Sequence, residues 1–225
     1  MSSIASGDLR RFRVGFDMDG VLADLVLALS QHAAALFGDV AGSPETRLTT
    51  RRRQRLWNSV RAVEDFWETL EEIEAEGVAR VAAVARKRRW ETIFLTTRPE
   101  TAGDPAQAQT HRWLAARGFA YPSVFVVRGS RGAIASALDL DAIVDDRAQN
   151  CVDIVSESSA RALLLWRQTA DVPEIALNRP RIDVVKDLDE SLDLLMEIDD
   201  QRQRPPSHFA RFLHSFARRP AAPAV

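Results

Sequence analysis

Short apolar runs of strand length recur along the chain at residues 12–16, 92–96, 123–127, 142–144 and 162–166, with helical stretches between them. Strands joined by helical crossovers run parallel, and the helices then cover both faces of the sheet. The expectation is an α/β fold with a Rossmann-like parallel sheet. Helix punctuation agrees with it. Asp104 before Pro105 predicts an N-cap with proline at the first helical position, and Gly118 marks where that helix should end. Val21, Leu22, Leu25, Val26, Leu29, Ala33, Leu36 and Phe37 keep a 3.6-residue period up to Gly38, so a helix is expected directly after the first strand.

The first and second strands are about 75 residues apart, far more than a crossover helix with short loops requires. An inserted helical cap is therefore expected at residues 24–76. Ser43 and Pro44 would start one helix running past Trp57, and Phe66, Trp67, Leu70 and Ile73 mark an apolar stripe on another, ending near Gly77. The core is assigned to residues 1–23 and 77–200. Residues 186–200 read as an acidic amphipathic helix carrying Leu188, Leu192, Leu195 and Met196, broken after Arg202 by Pro205 and Pro206. Residues 201–225 form a basic tail, with Phe209, Phe212, Leu213 and Phe216 at helical spacing and a Pro/Ala end expected to be partly disordered.

Composition excludes several classes. The 225 residues are 46% hydrophobic and 28% charged with a net charge of −2, which fits a globular chain and gives no general attraction to nucleic acid. Residues 1–11 are small and polar and lack the apolar core of a secretory signal, and no apolar run reaches membrane-span length. Cys151 is the single cysteine, so a reducing, cytoplasmic setting is expected and no zinc cluster is offered. Lys87 and Lys186 are the only lysines, which disfavours lysine-based covalent chemistry. Neither a P-loop nor a G-x-G-x-x-G motif is present.

Chemistry concentrates at the strand ends. The first strand runs into Asp17-Met18-Asp19-Gly20-Val21-Leu22-Ala23-Asp24, the second into Thr96-Thr97-Arg98-Pro99, and the fourth into Asp145-Asp146-Arg147. Ligands of open parallel sheets bind outside the carboxyl ends of the strands, so these residues are expected to meet there. Each segment alone also reads as turn chemistry. Four carboxylates at one sheet edge, however, repel one another unless a cation lies between them. A hard, oxygen-only donor set beside open space suits magnesium, which keeps waters and shares its shell with substrate phosphate. An aspartate can also attack phosphorus and divide hydrolysis into two easier steps.

With these motifs in this order, the chain resembles the haloacid dehalogenase superfamily of phosphohydrolases over residues 12–186. The first motif is most similar to that of the 5′(3′)-deoxyribonucleotidases and related small-cap phosphatases. The resemblance implies that Asp17 is the nucleophile and that Asp19 serves first as acid and then as base. It further implies phosphate contacts from the Met18 and Gly20 amides and from the Thr96 hydroxyl, with Thr97 assisting. Mg2+ would be held by Asp17, the Asp19 carbonyl and the Asp145/Asp146 pair, with Asp146 preferred as the direct ligand. The family's lysine before the fourth strand is missing, and Arg131 is expected in its place, with Arg128 second. Arg98 and Arg147 are candidates for a further anionic group of the substrate. The acid at Asp19 favours a phosphatase over a dehalogenase, since an alkoxide leaving group gains from protonation.

The expected partner is therefore a small-molecule phosphate ester, with a deoxynucleoside monophosphate first, and with neither membrane nor nucleic acid. The oligomeric state is left open, a homodimer included. A catalytically weak protein of this fold that binds nucleotide or a protein partner is the alternative, resting on the arginine replacement and the basic tail. Phosphotransfer would use the same nucleophile, whereas phosphonate cleavage would want a cap lysine, and residues 24–76 contain none. Trp57, Phe66 and Trp67 are each either a base-stacking platform or core. The Arg51-Arg52-Arg53-Gln54-Arg55 run is read as a solvated helix face, and the four histidines as structural or surface groups.

Overall fold

The computed structural model describes residues 10–38 and 44–203. The expected basic tail from residue 204 onward and the first nine residues lie outside the described residues. The chain divides into two compact units, residues 1–192 and 193–225. The sheet and every site residue discussed below belong to the first.

Six strands form one sheet: β1 (Arg13–Asp17), β2 (Glu91–Thr96), β3 (Ser123–Val126), β4 (Ala142–Asp145), β5 (Arg161–Leu165) and β6 (Ile182–Val185). Their order is β3-β2-β1-β4-β5-β6 and every pairing is parallel. β6 extends the sheet beyond the strands read from sequence. It escapes a hydrophobicity reading because it is a short, partly exposed edge strand interrupted by a charge, with Asp183 paired to Arg161 at 2.7 Å and Val184 exposed.

Side chains alternate across each strand, and this fixes the register. Phe16 and Phe94 lie side by side on one face, ring centroids 6.3 Å apart, and Phe119 meets Phe94 edge-on at 4.8 Å. On the other face Ile93, Leu95, Ile143 and Leu164 pack with Ala135, Cys151 and Ile154 of α6 (Arg131–Ala137) and α7 (Ala148–Glu157). Each fully buried Phe, Leu or Ile contributes about 1.5–3 kcal/mol, so slipping β1 by one residue would cost several such terms. That register is what carries Asp17 to the end of β1.

Between β1 and β2 lie α1 (Leu25–Phe37), α2 (Pro44–Arg47), α3 (Thr50–Arg61), one 3-10 turn (Phe66–Glu68) and α4 (Gly77–Arg88). Three expectations are corrected here. α1 starts at Leu25 rather than Val21, because Asp24 caps it through Leu27 N (2.8 Å) while the Leu22 and Ala23 amides turn back onto Met18 O at 2.9 and 2.8 Å. The single helix from Pro44 past Trp57 is two, since Thr49 has extended backbone and its hydroxyl caps α3. The helix expected over Phe66 to Ile73 is reduced to one turn, and Gly77 opens α4 instead of ending a helix. The backbone there bonds to other segments: Trp67 N to Gln109 Oε1 (2.9 Å), Ile73 N to Leu22 O (3.0 Å), and Glu71 O from Asp24 N (2.9 Å). Phe66, Trp67 and Leu70 are buried nonetheless, so the apolar stripe is core without being a helix.

α5 (Ala106–Ala116) precedes β3, with Pro105 at the cap position and Asp104 one residue outside it, its carboxylate on Arg112 at 2.7 Å. α8 (Leu188–Gln203) is preceded by Asp187, whose carboxylate accepts from Glu190 N at 2.8 Å while the Glu190 carboxylate accepts from Lys186 N at 2.8 Å. Among the described residues no helix is long and apolar enough to cross a membrane.

Candidate active site

Because β1, β2 and β4 are adjacent and parallel, their carboxyl ends bring Asp17, Thr96 and Asp145 to one edge. The loop after β1 is held from several sides. Met18 N donates to Leu95 O (3.2 Å), and Gly20 N donates to Ala23 O (3.1 Å). The Met18 and Gly20 amides, expected as phosphate contacts, are here engaged by main-chain carbonyls that shape the loop. Arg167, unnoticed in the sequence, clamps the same loop by donating to Gly20 O (2.8 Å) and Val21 O (3.2 Å), and it is held in turn by Glu74. Burial pushes the Glu74 carboxyl up, but hydrogen bonds from Arg167, Leu188 N and Arg80 outweigh it and leave Glu74 below its ordinary value.

Gly20 has φ +98°, and a Cβ there would lie 2.1 Å from Asp146 Oδ2. Gly20→Ala should therefore combine left-handed strain with displacement of Asp146, lowering stability in urea unfolding by about 1–3 kcal/mol. An unchanged unfolding midpoint would show that the loop tolerates a side chain.

The buried centre of the site is a guanidinium among carboxylates. Arg131 is 4% exposed, donates through Nη2 to Asp17 Oδ1, and has Nε 3.4 Å from Asp145 Oδ2. Asp145 is completely buried and also accepts from Arg147 N (2.9 Å) and from Asn150 Nδ2 (3.0 Å to each oxygen). Asn150 carries no motif signal beyond its place in the first turn of α7, five residues after Asp145. Burial, then repulsion from Asp145, holds Asp17 well above the ordinary carboxylate range against the opposing pull of Arg131. Burial also raises Asp145, and burial with the neighbouring Asp145 charge pushes Asp146 up to about 7. The cluster holds more negative charge than Arg131 alone relieves.

Asp19 is oriented from the β2 side. Arg98 grips it through Nε (3.0 and 3.1 Å) and Nη2 (2.6 Å), donates to Thr110 Oγ1 (2.9 Å), and lies 4.9 Å over the Trp67 ring. Its guanidinium, expected as a candidate for a substrate anion, is thus spent inside the protein. Thr96 is buried; its hydroxyl is 3.4 Å from Asp19 Oδ2 and accepts from Arg98 N, whereas Thr97 is exposed and lines the cavity. Arg147 also lines it, and Arg128 is exposed and is not among the lining residues.

The cavity measures about 390 Å³ and is bounded by Asp17, Asp19, Arg131 and Asp146 on the core side and by Trp57 and Arg61 of α3 on the other. Trp57 and Trp67 both line it, Trp67 as a fully buried side chain, whereas Phe66 is buried and is not among the lining residues. Two buried atoms on the core side, Arg131 Nη1 and Asp146 Oδ1, have no hydrogen-bond partner. Among the described residues no three acidic, histidine or cysteine side chains form a chelating group by themselves. The chemistry still fits a magnesium ion, which needs few protein ligands: Asp146 has an unpartnered buried carboxylate oxygen, and the neighbouring Asp145 and Asp19 charges add to the rise of its carboxyl.

No family model and no curated protein matches the sequence. Solved structures do match. A haloacid dehalogenase-like family hydrolase from Xanthomonas campestris is 16% identical, with 87% of this chain and 99% of that one covered and a TM-score of 0.50. A Thermotoga maritima protein named as a β-phosphoglucomutase is 17% identical over 83% of this chain and 99% of its own, with a TM-score of 0.55. An L-2-haloacid dehalogenase is 12% identical over 83% and 100%, with a TM-score of 0.51. Identity this low speaks to fold alone, and the fold is the one that the motif order implies: this chain has the haloacid dehalogenase-like α/β fold.

Proposed function

We propose that the protein is a magnesium-dependent phosphomonoester hydrolase that acts through an aspartyl-phosphate on Asp17. One observation carries the reading: Arg131 and Asp146, of opposite charge, line one cavity, and each has a buried polar atom, Nη1 and Oδ1, without a partner. A phosphate ester bound with a cation would suit both, with Arg131 holding phosphoryl oxygens and Asp146 holding the cation.

Asp17 Oδ attacks phosphorus as the P–O bond to the leaving group breaks, and Asp19 gives that oxygen its proton. Asp19 then takes a proton from water as the water attacks phosphorus, releasing phosphate and restoring the Asp17 carboxylate. Arg98 and Thr96 orient Asp19 for both halves. Arg131 supplies the fixed positive charge beside nucleophile and phosphoryl group, a role that needs charge and not proton transfer. Thr97 is the hydroxyl lining the cavity and is proposed to contact a phosphoryl oxygen. Magnesium would be held by Asp17, Asp146 and the Asp19 carbonyl, and when bound it would screen the repulsion between carboxylate and phosphate. Asp145, fully buried and occupied by Arg131, Arg147 N and Asn150, would support Asp146 from behind.

Asp19 supports ester hydrolysis over carbon–halogen cleavage, because halide leaves without a proton. The substrate is proposed to be a small soluble phosphate ester, with nucleoside monophosphates among the candidates because Trp57 offers a ring at the cavity. A second reading, a binding protein of the same fold, is favoured by the engagement of Asp17 with Arg131. Phosphate release from a panel of nucleotide and sugar monophosphates, with magnesium and with chelator, separates the two. Magnesium-dependent release is expected. No release from any member, by folded protein that binds magnesium, would overturn the hydrolase.

A further inference from the structure

Of the guanidinium groups lining the cavity, Arg98 and Arg131 are committed to carboxylates. Arg61 and Arg147 are exposed, and neither side chain makes a hydrogen bond or ion pair among the described residues. Arg147 adjoins Asp146 and its charge is partly used there, countering the rise of that carboxyl. Arg61 has no such neighbour at the cavity. It closes α3, one turn after Trp57, and residues four apart share a helix face. Trp57 is half-buried and lines the same cavity, and Leu25 and Val26 of α1 add apolar surface beside it. A free guanidinium at the edge of an aromatic and aliphatic wall is suited to a carboxylate or phosphate carried on an apolar body.

We propose that Trp57 and Arg61 read the leaving group, and that the substrate is a phosphate monoester whose apolar or aromatic body bears a second anion. This rests on the phosphohydrolase reading for which end of the ligand meets Asp17. The Arg61 guanidinium pairs with the distal anion, while Trp57 packs on the body between the two charged groups. Nucleoside monophosphates, which bear no anion besides the reacting phosphate, fall behind doubly anionic esters.

The test is binding of non-hydrolysable benzylphosphonates in the presence of magnesium, measured by calorimetry on the full chain. The para substituent is a carboxylate, a phosphonate or the neutral carboxamide. The native protein should bind at least one of the two anionic probes about tenfold more tightly than the carboxamide, and the better of the two identifies the anion. Arg61→Ala should shrink that ratio to within about threefold, Arg61→Lys should retain part of it, and Trp57→Leu should weaken all probes together. Circular dichroism verifies that the variants are folded. A native protein without anion preference, or an Arg61→Ala protein that keeps it, would overturn the proposal. Because binding is read directly, an Arg61-dependent preference without any phosphate release would sink the hydrolase and leave the anion site standing.

Discussion

Asp17→Asn is expected to lower magnesium-dependent phosphate release by at least about 10³-fold, since removing a nucleophile abolishes the covalent route rather than weakening it. The substitution keeps the shape of the side chain and removes its charge. Folding should survive, because the native carboxylate is disfavoured by burial and by Asp145, Asp146 and Asp19, against the opposing pull of Arg131. The neutral amide relieves those repulsions at the cost of one ion pair. Thermal unfolding should therefore stay close to that of the native protein while activity disappears. Activity within tenfold of native in a properly folded variant would mean that another group attacks phosphorus.

Arg131→Met is expected to be the most damaging substitution to the fold at this site. It removes the guanidinium that touches both Asp17 and Asp145, residues 6% and 0% exposed, and leaves two buried carboxylates facing each other. Truncating one partner of such a buried group costs about 3–5 kcal/mol, well beyond the value of a surface pair. Added magnesium should recover part of the loss, because a cation held by Asp17 and Asp146, as proposed, would relieve the same repulsion. Arg131→Lys keeps the charge but not the fork that spans two carboxylates, so it should fall between the native protein and Arg131→Met. Urea unfolding with and without magnesium reads all three. Equal midpoints would show that the carboxylates are neutralised some other way.

The sheet was legible because it is built from short apolar runs, and so was the placement of Asp17 and Asp145, which directly follow two of those runs, of Thr96, which ends another, and of Asp19, two residues beyond Asp17. What sequence periodicity misread is the insertion. Residues 66–73 have helical apolar spacing, yet their amides bond to Gln109 and Leu22, partners far away in sequence. Tertiary hydrogen bonds override local preference, and no window of sequence contains them. β6 was invisible for the opposite reason, since an edge strand needs no continuous apolar run. Arg131 was legible as a charge in the right place, although its contact with two carboxylates was not. Arg167 and Glu74 carry no motif, because Arg167 holds main-chain carbonyls of the loop after β1, which any arginine arriving from β5 could do, and Glu74 only holds Arg167. The main-chain bonds of the Met18 and Gly20 amides were not legible, because sequence does not reveal which backbone groups a loop spends on itself.

The measurement closest to the central claim is covalent trapping. Native protein with magnesium and the best monoester of the panel is quenched in acid within the first turnovers, digested, and the peptide spanning Asp17 examined by mass spectrometry. A phosphoryl adduct on Asp17 that is lost in Asp17→Asn, and that accumulates when Asp19→Asn removes the base for its hydrolysis, is the predicted result. Turnover with no adduct on Asp17 in either the native or the Asp19→Asn protein would contradict the account.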